Sequence, residues 1–267
     1  YRYMPETDSV LAECIDLNST LKKHMTLTIE KSVLGKPVTR IGGYFTDPYY
    51  MDAKIGYLFD KIYIPDSVKI ITGSAFSECT NVKSIYIPDS VEKIGDKAFE
   101  NCTGLKKIIL PYSVKSIGKD AFKGCTSLEM IEIKNPECKI DESYDTIPEK
   151  TKIRGFSGSS AQTYSKKNHK AFENITIIYD DFFCDEIYLN KFSIPDDVET
   201  IGDNAFKECG NLKEINLGKI KSIGKSAFEN CVSLEYGRDF SKKQTGVLII
   251  PASVKKIGER AFLMIKR

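Results

Sequence analysis

The sequence predicts an α/β repeat fold: a right-handed solenoid of short coils, with a parallel sheet on one face and short helical pieces on the other. Three observations predict it. An Ala-Phe pair recurs at Ala75-Phe76, Ala98-Phe99, Ala121-Phe122, Ala205-Phe206, Ala227-Phe228 and Ala261-Phe262, mostly about 23 residues apart. Each pair sits inside one phrase, I-P-D-S-V-x-x-I-G-x-x-A-F-x-x-C-x-x-L-x-x-I-x-I. The phrase closes on an alternating segment such as Ile62-Tyr63-Ile64, Ile85-Tyr86-Ile87 or Ile131-Glu132-Ile133, which carries the two-residue period of a half-buried strand. A fixed period in the twenties with Leu and Ile at set offsets is a leucine-rich-repeat solenoid, here of roughly eight coils.

The repeat from Pro88 to Leu110 shows what each position is for. Pro88-Asp89-Ser90 reads as a turn, because Pro presets φ and Asp or Ser can bond nearby backbone N–H groups. Val91 and Ile94 alternate in a short extended piece, and Gly95 permits a tight bend. Asp96 is placed to cap a short helical turn over 97–101. There Ala98 allows close backbone approach and Phe99 fills the interior. Lys106 to Leu110 alternates as a strand, with Ile108 and Leu110 pointing inward. One such coil cannot bury its apolar face alone; stacked coils bury a continuous core.

The pattern divides the chain into four segments. Residues 1–60 hold a first strand at Met25–Ile29 and a degenerate repeat at Pro37–Phe45, and residues 61–134 hold regular repeats. Residues 135–180 form a divergent coil or internal cap. In it Ser159 or Ser160 caps a helix over 161–168, and Glu173–Ile178 reads as a strand. Residues 181–267 hold a second set of repeats, with strands at Phe192-Ser193-Ile194, Ile215-Asn216-Leu217 and Leu248-Ile249-Ile250 and an inserted polar loop at 236–246.

Composition narrows the function. Hydrophobic residues make up 41% and charged residues 28%, as in ordinary folded proteins. The net charge is +2, so no polyanionic partner such as a nucleic acid is implied. No run of 18 apolar residues exists to span a membrane. The first residues lack the apolar core of a signal peptide, so any such peptide is absent or already removed. With no initiator Met, and an end inside a repeat phrase, the chain reads as a fragment of a longer protein.

Chemistry-bearing residues do not converge. Cys79, Cys102, Cys125, Cys209 and Cys231 each lie four residues after the repeat Ala. Stacking places them in a ladder about 5 Å apart, with parallel Cβ vectors that suit small apolar packing better than disulfides. Cys14, Cys138 and Cys184 are out of register and carry no assignment. There is no C-x-x-C, and His24 and His169 have no triad or metal-ligand context. Gly155–Ser160 lacks the Gly-Lys-Ser/Thr of a phosphate loop. The recurring Asp66, Asp89, Asp196 and Asp197 stand in turns, mostly one carboxylate per coil, too few for calcium. The expectation is no catalytic residue, no cofactor and no metal. The charges that follow the repeat Val, Lys69, Glu92, Lys115, Glu199, Lys221 and Lys255, are of mixed sign and read as a solvated face.

The outward side of the strands carries the functional signal. Alternation puts Tyr63, Tyr86, Ile109 and Glu132 in one outward column and Lys61, Ser84, Lys107 and Met130 in the next. Tyr63, Tyr86 and Ile109 then make an apolar stripe on a surface that should be polar. Tyr is enriched among interface anchors, although stacked aromatics also stabilise neighbouring strands. The candidate partner-binding face is Tyr63, Tyr86, Ile109, Lys61, Lys107 and Met130.

The phrase I-P-D-S-V-E-K-I-G-D-K-A-F-E-N-C-T-G-L-K-K-I at 87–108 resembles the BspA-like leucine-rich repeats. The opening L-T-I-E-K-S-V-L-G-K-P-V-T-R-I-G at 27–42 looks like the start of such an array, and N-P-E-C with I-R-G-F-S-G-S-S-A-Q-T-Y-S-K-K-N at 153–168 resembles its closing segment. The chain departs from the family pattern in carrying further repeats after that segment. The resemblance implies a secreted or surface-displayed bacterial protein that binds a host or neighbour-cell protein, and it transfers no catalytic residue. The expected function is non-catalytic recognition of a protein ligand, with adhesion as its form. The alternative is a structural spacer in a larger surface protein.

Overall fold

The structure, a computed structural model, describes residues 2–4, 9–12, 25–42, 56–234 and 248–265. Cys14, His24, the Tyr44-Phe45 part of the degenerate repeat and the 236–246 loop lie outside them. The chain forms two compact units, Tyr1–Gly155 with Ser159–Glu173, and Phe156–Gly158 with Asn174–Arg267.

The first unit is a stack of coils joined by ladders on three sides. One ladder carries the K-I element of each phrase: Ser9–Ala12, Lys36–Ile41, Ile70–Ile71, Lys93–Ile94, Ser116–Ile117 and Lys139–Ile140, all parallel in that order. A second carries the outward-facing strands. Met25–Thr28 pairs with Phe59–Tyr63, and Lys107–Leu110, Met130–Ile133, Lys152–Gly155 and Phe172–Asn174 form another sheet. The sequence anticipated one sheet; the K-I element makes a second.

The third ladder replaces the expected helical pieces. Lys97, Phe99 and Asn101 donate their backbone N–H to Lys119, Ala121 and Lys123 in the next coil, at 2.8, 2.8 and 2.7 Å. Ser74, Phe76 and Glu78 do the same toward Asp96, Ala98 and Glu100. The backbone achieves this by alternation: Lys97 and Asn101 lie at φ +57° and +59°, and Ser74 and Glu78 at +56° and +64°. Positive φ at these positions prevents a helix and turns alternate N–H groups along the stacking direction. Asp96 does not cap a helix; its Oδ1 accepts the N–H of Lys119 one coil on, at 2.9 Å. The α-helix among the described residues is Ser160–Lys167, capped by Ser159, whose Oγ accepts from the N–H of Gln162 at 3.2 Å.

The other constant positions of the phrase also serve the neighbouring coil. Ser90 and Ser113 donate to the carbonyls of Val68 and Val91 at 2.7 and 2.8 Å. Cys102 and Cys125 donate S–H to the carbonyls of Phe76 and Phe99, each at 3.1 Å. Gly95 is needed for closeness rather than for a bend, since a Cβ there would stand 2.5 Å from the backbone N of Gly73. Inside, Phe76, Phe99 and Phe122 stack at 5.5 and 5.3 Å between ring centroids.

The second unit repeats the scheme. Its ladders are Ile177–Ile178, Thr200–Ile201, Ser222–Ile223 and Lys256–Ile257 on one side and Lys191–Ser193 with Glu214–Asn216 on another. Phe206, Phe228 and Phe262 stack at 5.0 and 5.4 Å. Phe156 packs against Phe182, Phe183 and Phe192 at the start of this stack. Cys209 and Cys231 donate to Phe183 and Phe206 at 2.9 and 3.0 Å. The expected strand Glu173–Ile178 is instead two, Phe172–Asn174 and Ile177–Ile178, in different sheets. Leu248–Ile250 has no strand pairing.

Phe99 is fully buried. Phe99→Ala is expected to cost about 3–5 kcal/mol, as for other core Phe truncations. Chemical denaturation measures it, and a loss near zero would refute the Phe ladder.

The described cysteines are free thiols, all buried except Cys184. Burial pushes Cys138 and Cys231 up to about 12 and raises Cys209 as well, against about 8.5 for an unfolded thiol. Above pH ~8.5 the unfolded chain releases protons that the folded chain keeps, so stability falls as pH rises, by about 1.4 kcal/mol per unit per thiol. Urea midpoints from pH 8.5 to 10 are expected to drop, and to drop less in a Cys209→Ala/Cys231→Ala variant. Equal slopes in the two proteins would show these thiols to be ordinary.

Candidate functional site

The outward ladder of the first unit carries the candidate face. Tyr63 ends the strand Phe59–Tyr63 and is 56% exposed; Tyr86 is 69% exposed. Ile109 is half-buried within Lys107–Leu110, and Met130 is half-buried at the start of Met130–Ile133. Lys61 and Lys107 are exposed. Register sets Met130 beside Lys107, and Ser84 beside Lys107 on the other side.

The apolar column ends at the next coil. Glu132 was expected outward with Tyr86 and Ile109, yet it is fully buried. Its Oε2 accepts from Arg154 Nη1 at 3.0 Å, and Arg154 also faces Glu173 at 3.4 Å. Arg154 stands directly beside Glu132 in the ladder and lies over it. Alternation placed the carboxylate on the correct face, but its cover comes from a residue one coil away in the divergent segment. The signal was present in K-I-R-G at 152–155, which aligns Arg154 with Glu132.

The ladder is also broken at the centre of the face. Ser84 makes an isolated parallel bridge to Lys107, and Lys106 N–H reaches the Lys83 carbonyl at 3.1 Å. Pairing does not continue through Ile85-Tyr86-Ile87, which the alternation predicted as a strand. A groove of about 400 Å³ opens there, lined by Ser84, Tyr86 and Asp89 of one coil, Lys107, Ile109 and Pro111 of the next, and Lys134. Its lining offers no imidazole and no thiol.

Among the described residues no group of three or more His, Cys, Asp or Glu side chains is placed to hold a metal ion. His169 is exposed just past the helix Ser160–Lys167, at φ +53°. No described helix is long and apolar enough to cross a membrane.

Stacked coils with a Phe interior and parallel ladders of short strands define a leucine-rich-repeat protein. The kind of repeat is specific: residues 56–175 match the family model for the BspA type leucine-rich repeat region in six copies. Among solved structures, it is similar to the leucine-rich repeat protein of T. pallidum, at 17% identity over 88% of this chain and 87% of that one, with a TM-score of 0.37. It is similar to a leucine-rich cell surface protein of Faecalibacterium prausnitzii, at 20% identity over 96% and 82%, TM-score 0.33. It is also similar to the pneumococcal vaccine antigen PcpA, at 22% identity over 94% and 71%, TM-score 0.35. No curated protein matches the chain.

Arg154→Ala strips the cover from a buried carboxylate. It is expected to destabilise by about 3–5 kcal/mol, whereas replacing Glu132 and Arg154 together by Leu costs far less. Thermal or urea denaturation of the two variants tests this; equal losses would place the penalty in packing rather than in the stranded charge.

Proposed function

We propose that the chain is a non-catalytic recognition module that binds a protein ligand through the outward ladder face, in the manner of an adhesin, outside the cell or on its surface. One observation carries the reading: Tyr63 and Tyr86 leave 56% and 69% of their surface in water on a ladder face that also holds the groove. A ring so placed adds little to the fold and supplies rigid contact area to a partner. The match of residues 56–175 to the BspA type repeat supports a binding role and a bacterial surface setting. The spread of His169, the thiols and the turn carboxylates supports the non-catalytic reading, because catalysis needs such groups to converge.

The test begins with the intact chain on a sensor surface against a panel of host matrix proteins. For any ligand so found, Tyr63→Ala and Tyr86→Ala are expected to weaken binding by about thirtyfold or more, about 2 kcal/mol. Changes at Lys69, Glu92 and Lys115 should matter far less, since Lys115 already pairs with Glu92 at 2.5 Å on an exposed face. Circular dichroism controls for folding. Undiminished affinity in both Tyr variants would remove recognition from this face, and failure to bind any protein would favour the spacer.

A further inference from the structure

We infer that residues 156–158 form a liftable cap on the second unit: its stack begins under a three-residue clip, and lifting the clip uncovers an apolar surface. This stands apart from the recognition reading above. The clip clusters with the second unit, although its chain neighbours Gly155 and Ser159 belong to the first. Phe156 is fully buried, its ring centroid 5.8, 6.4 and 5.4 Å from those of Phe182, Phe183 and Phe192. Ser157 donates its hydroxyl to Asp197 Oδ1 at 2.6 Å.

Two features fit this start to a clip rather than to another coil. The first is residue size. The N–H of Phe183 reaches the Ala205 carbonyl as that of Phe206 reaches Ala227, so Phe182 stands where the following coils have Ala205 and Ala227. Register likewise puts Tyr179 where they have Gly202 and Gly224. Gly and Ala let a coil settle closely on the coil before it: a Cβ on Gly202 would stand 2.7 Å from the Asp180 N. Tyr179 and Phe182 carry rings there instead, which meet edge to face at 4.6 Å. The ring of Phe156 covers such a surface, whereas a coil backbone at the regular spacing would collide with it.

The second is a donor exchanged for an acceptor. Ser67, Ser90, Ser113 and Ser253 each donate to a carbonyl of the coil before, those of Val38, Val68, Val91 and Ile220, at 2.8, 2.7, 2.8 and 2.8 Å. The same place in Pro195-Asp196-Asp197-Val198 holds Asp197. An ionised carboxylate accepts and does not donate. Asp197 therefore cannot make the coil-to-coil bond, and it takes the Ser157 hydroxyl instead. Phe156 supplies the buried area of the clip and Ser157 this bond, while Gly158 is exposed. An attachment this small opens locally, at less cost than unfolding the unit, and then Phe182 and Phe192 lose their cover.

Hydrogen–deuterium exchange of the full chain, read by mass spectrometry across a urea series, tests the cap. In the wild type, amides of 179–194 are expected to exchange through an opening with weak urea dependence, and those of 205–228 through one with the steep dependence of unfolding. Equally steep dependence in both stretches would overturn the liftable cap. Phe156→Ala is expected to speed exchange over 179–194 roughly tenfold or more and to raise ANS fluorescence, with 91–122 unchanged. A rise over both units together, or no rise, would make Phe156 an ordinary core residue and overturn the inference. Asp197→Ser is the milder variant: it removes the acceptor and is expected to speed the same amides about threefold, and Asp197→Asn, which keeps an acceptor oxygen, to restore most of the protection. Undiminished protection in Asp197→Ser would overturn the assignment of Asp197 to the clip.

Discussion

Among the described residues the regular coils bond only part of their backbone internally; many of the remaining donors and acceptors are met by the coils beside them. The turn around the Ala-Phe pair shows the constraint most sharply. Lys97 and Asn101 sit in the left-handed region, which costs a non-glycine residue about 1–2 kcal/mol each. In return Lys97, Phe99 and Asn101 each gain a hydrogen bond to the next coil near 2.8 Å. A buried N–H without a partner would cost about as much as the strain. Asn and Asp tolerate positive φ better than most residues, and they hold several of these positions: Asn101, Asp120, Asn204 and Asn230.

Once the backbone is shared in this way, the repeat phrase becomes a set of demands made by neighbours. The Ser of P-D-S-V answers the Val carbonyl one coil back, and the Cys answers the Phe carbonyl one coil back. Gly is required where two backbones nearly touch. Cys suits its place because it is small enough for the stack, apolar enough for the interior, and still a weak donor. The outward positions of the ladder answer to none of these demands. They are free to carry tyrosine, lysine or a buried ion pair without disturbing the stack, so recognition chemistry can differ from coil to coil on one scaffold.

The period and the apolar offsets made the stacking, the Phe interior, the thiol ladder and the outward placement of Tyr63 and Tyr86 readable in the chain, and local capping residues narrowed the helix cap to Ser159 or Ser160. The misreadings share a cause. Asp96 before a short run looked like a helix cap because a local rule was applied to a residue whose partner, Lys119, lies one coil away. Glu132 looked like an exposed polar residue because alternation sees the face and not the Arg154 that covers it. Glu173–Ile178 looked like one strand because alternation does not register a change of sheet between Asn174 and Ile177. Each miss is a contact between coils, invisible to reasoning that moves along the chain.

The same limit explains why the groove could not be foreseen. Ile85-Tyr86-Ile87 and Ile131-Glu132-Ile133 obey the phrase equally well, yet the second is paired on both sides and the first only at Ser84. Side-chain alternation follows from local geometry alone, whereas closing a ladder requires the two adjacent coils to agree in length and in where they turn. A coil can therefore bury Ile85 and Ile87 and still leave its neighbour at a distance on the outward side. Failed pairing coincides here with an exposed ring, so a stretch with little ladder bonding also presents contact surface to a partner. Stability and recognition are thereby assigned to different sides of one coil: the Phe and Cys columns hold it in the stack, and the Tyr86 side remains open to contact.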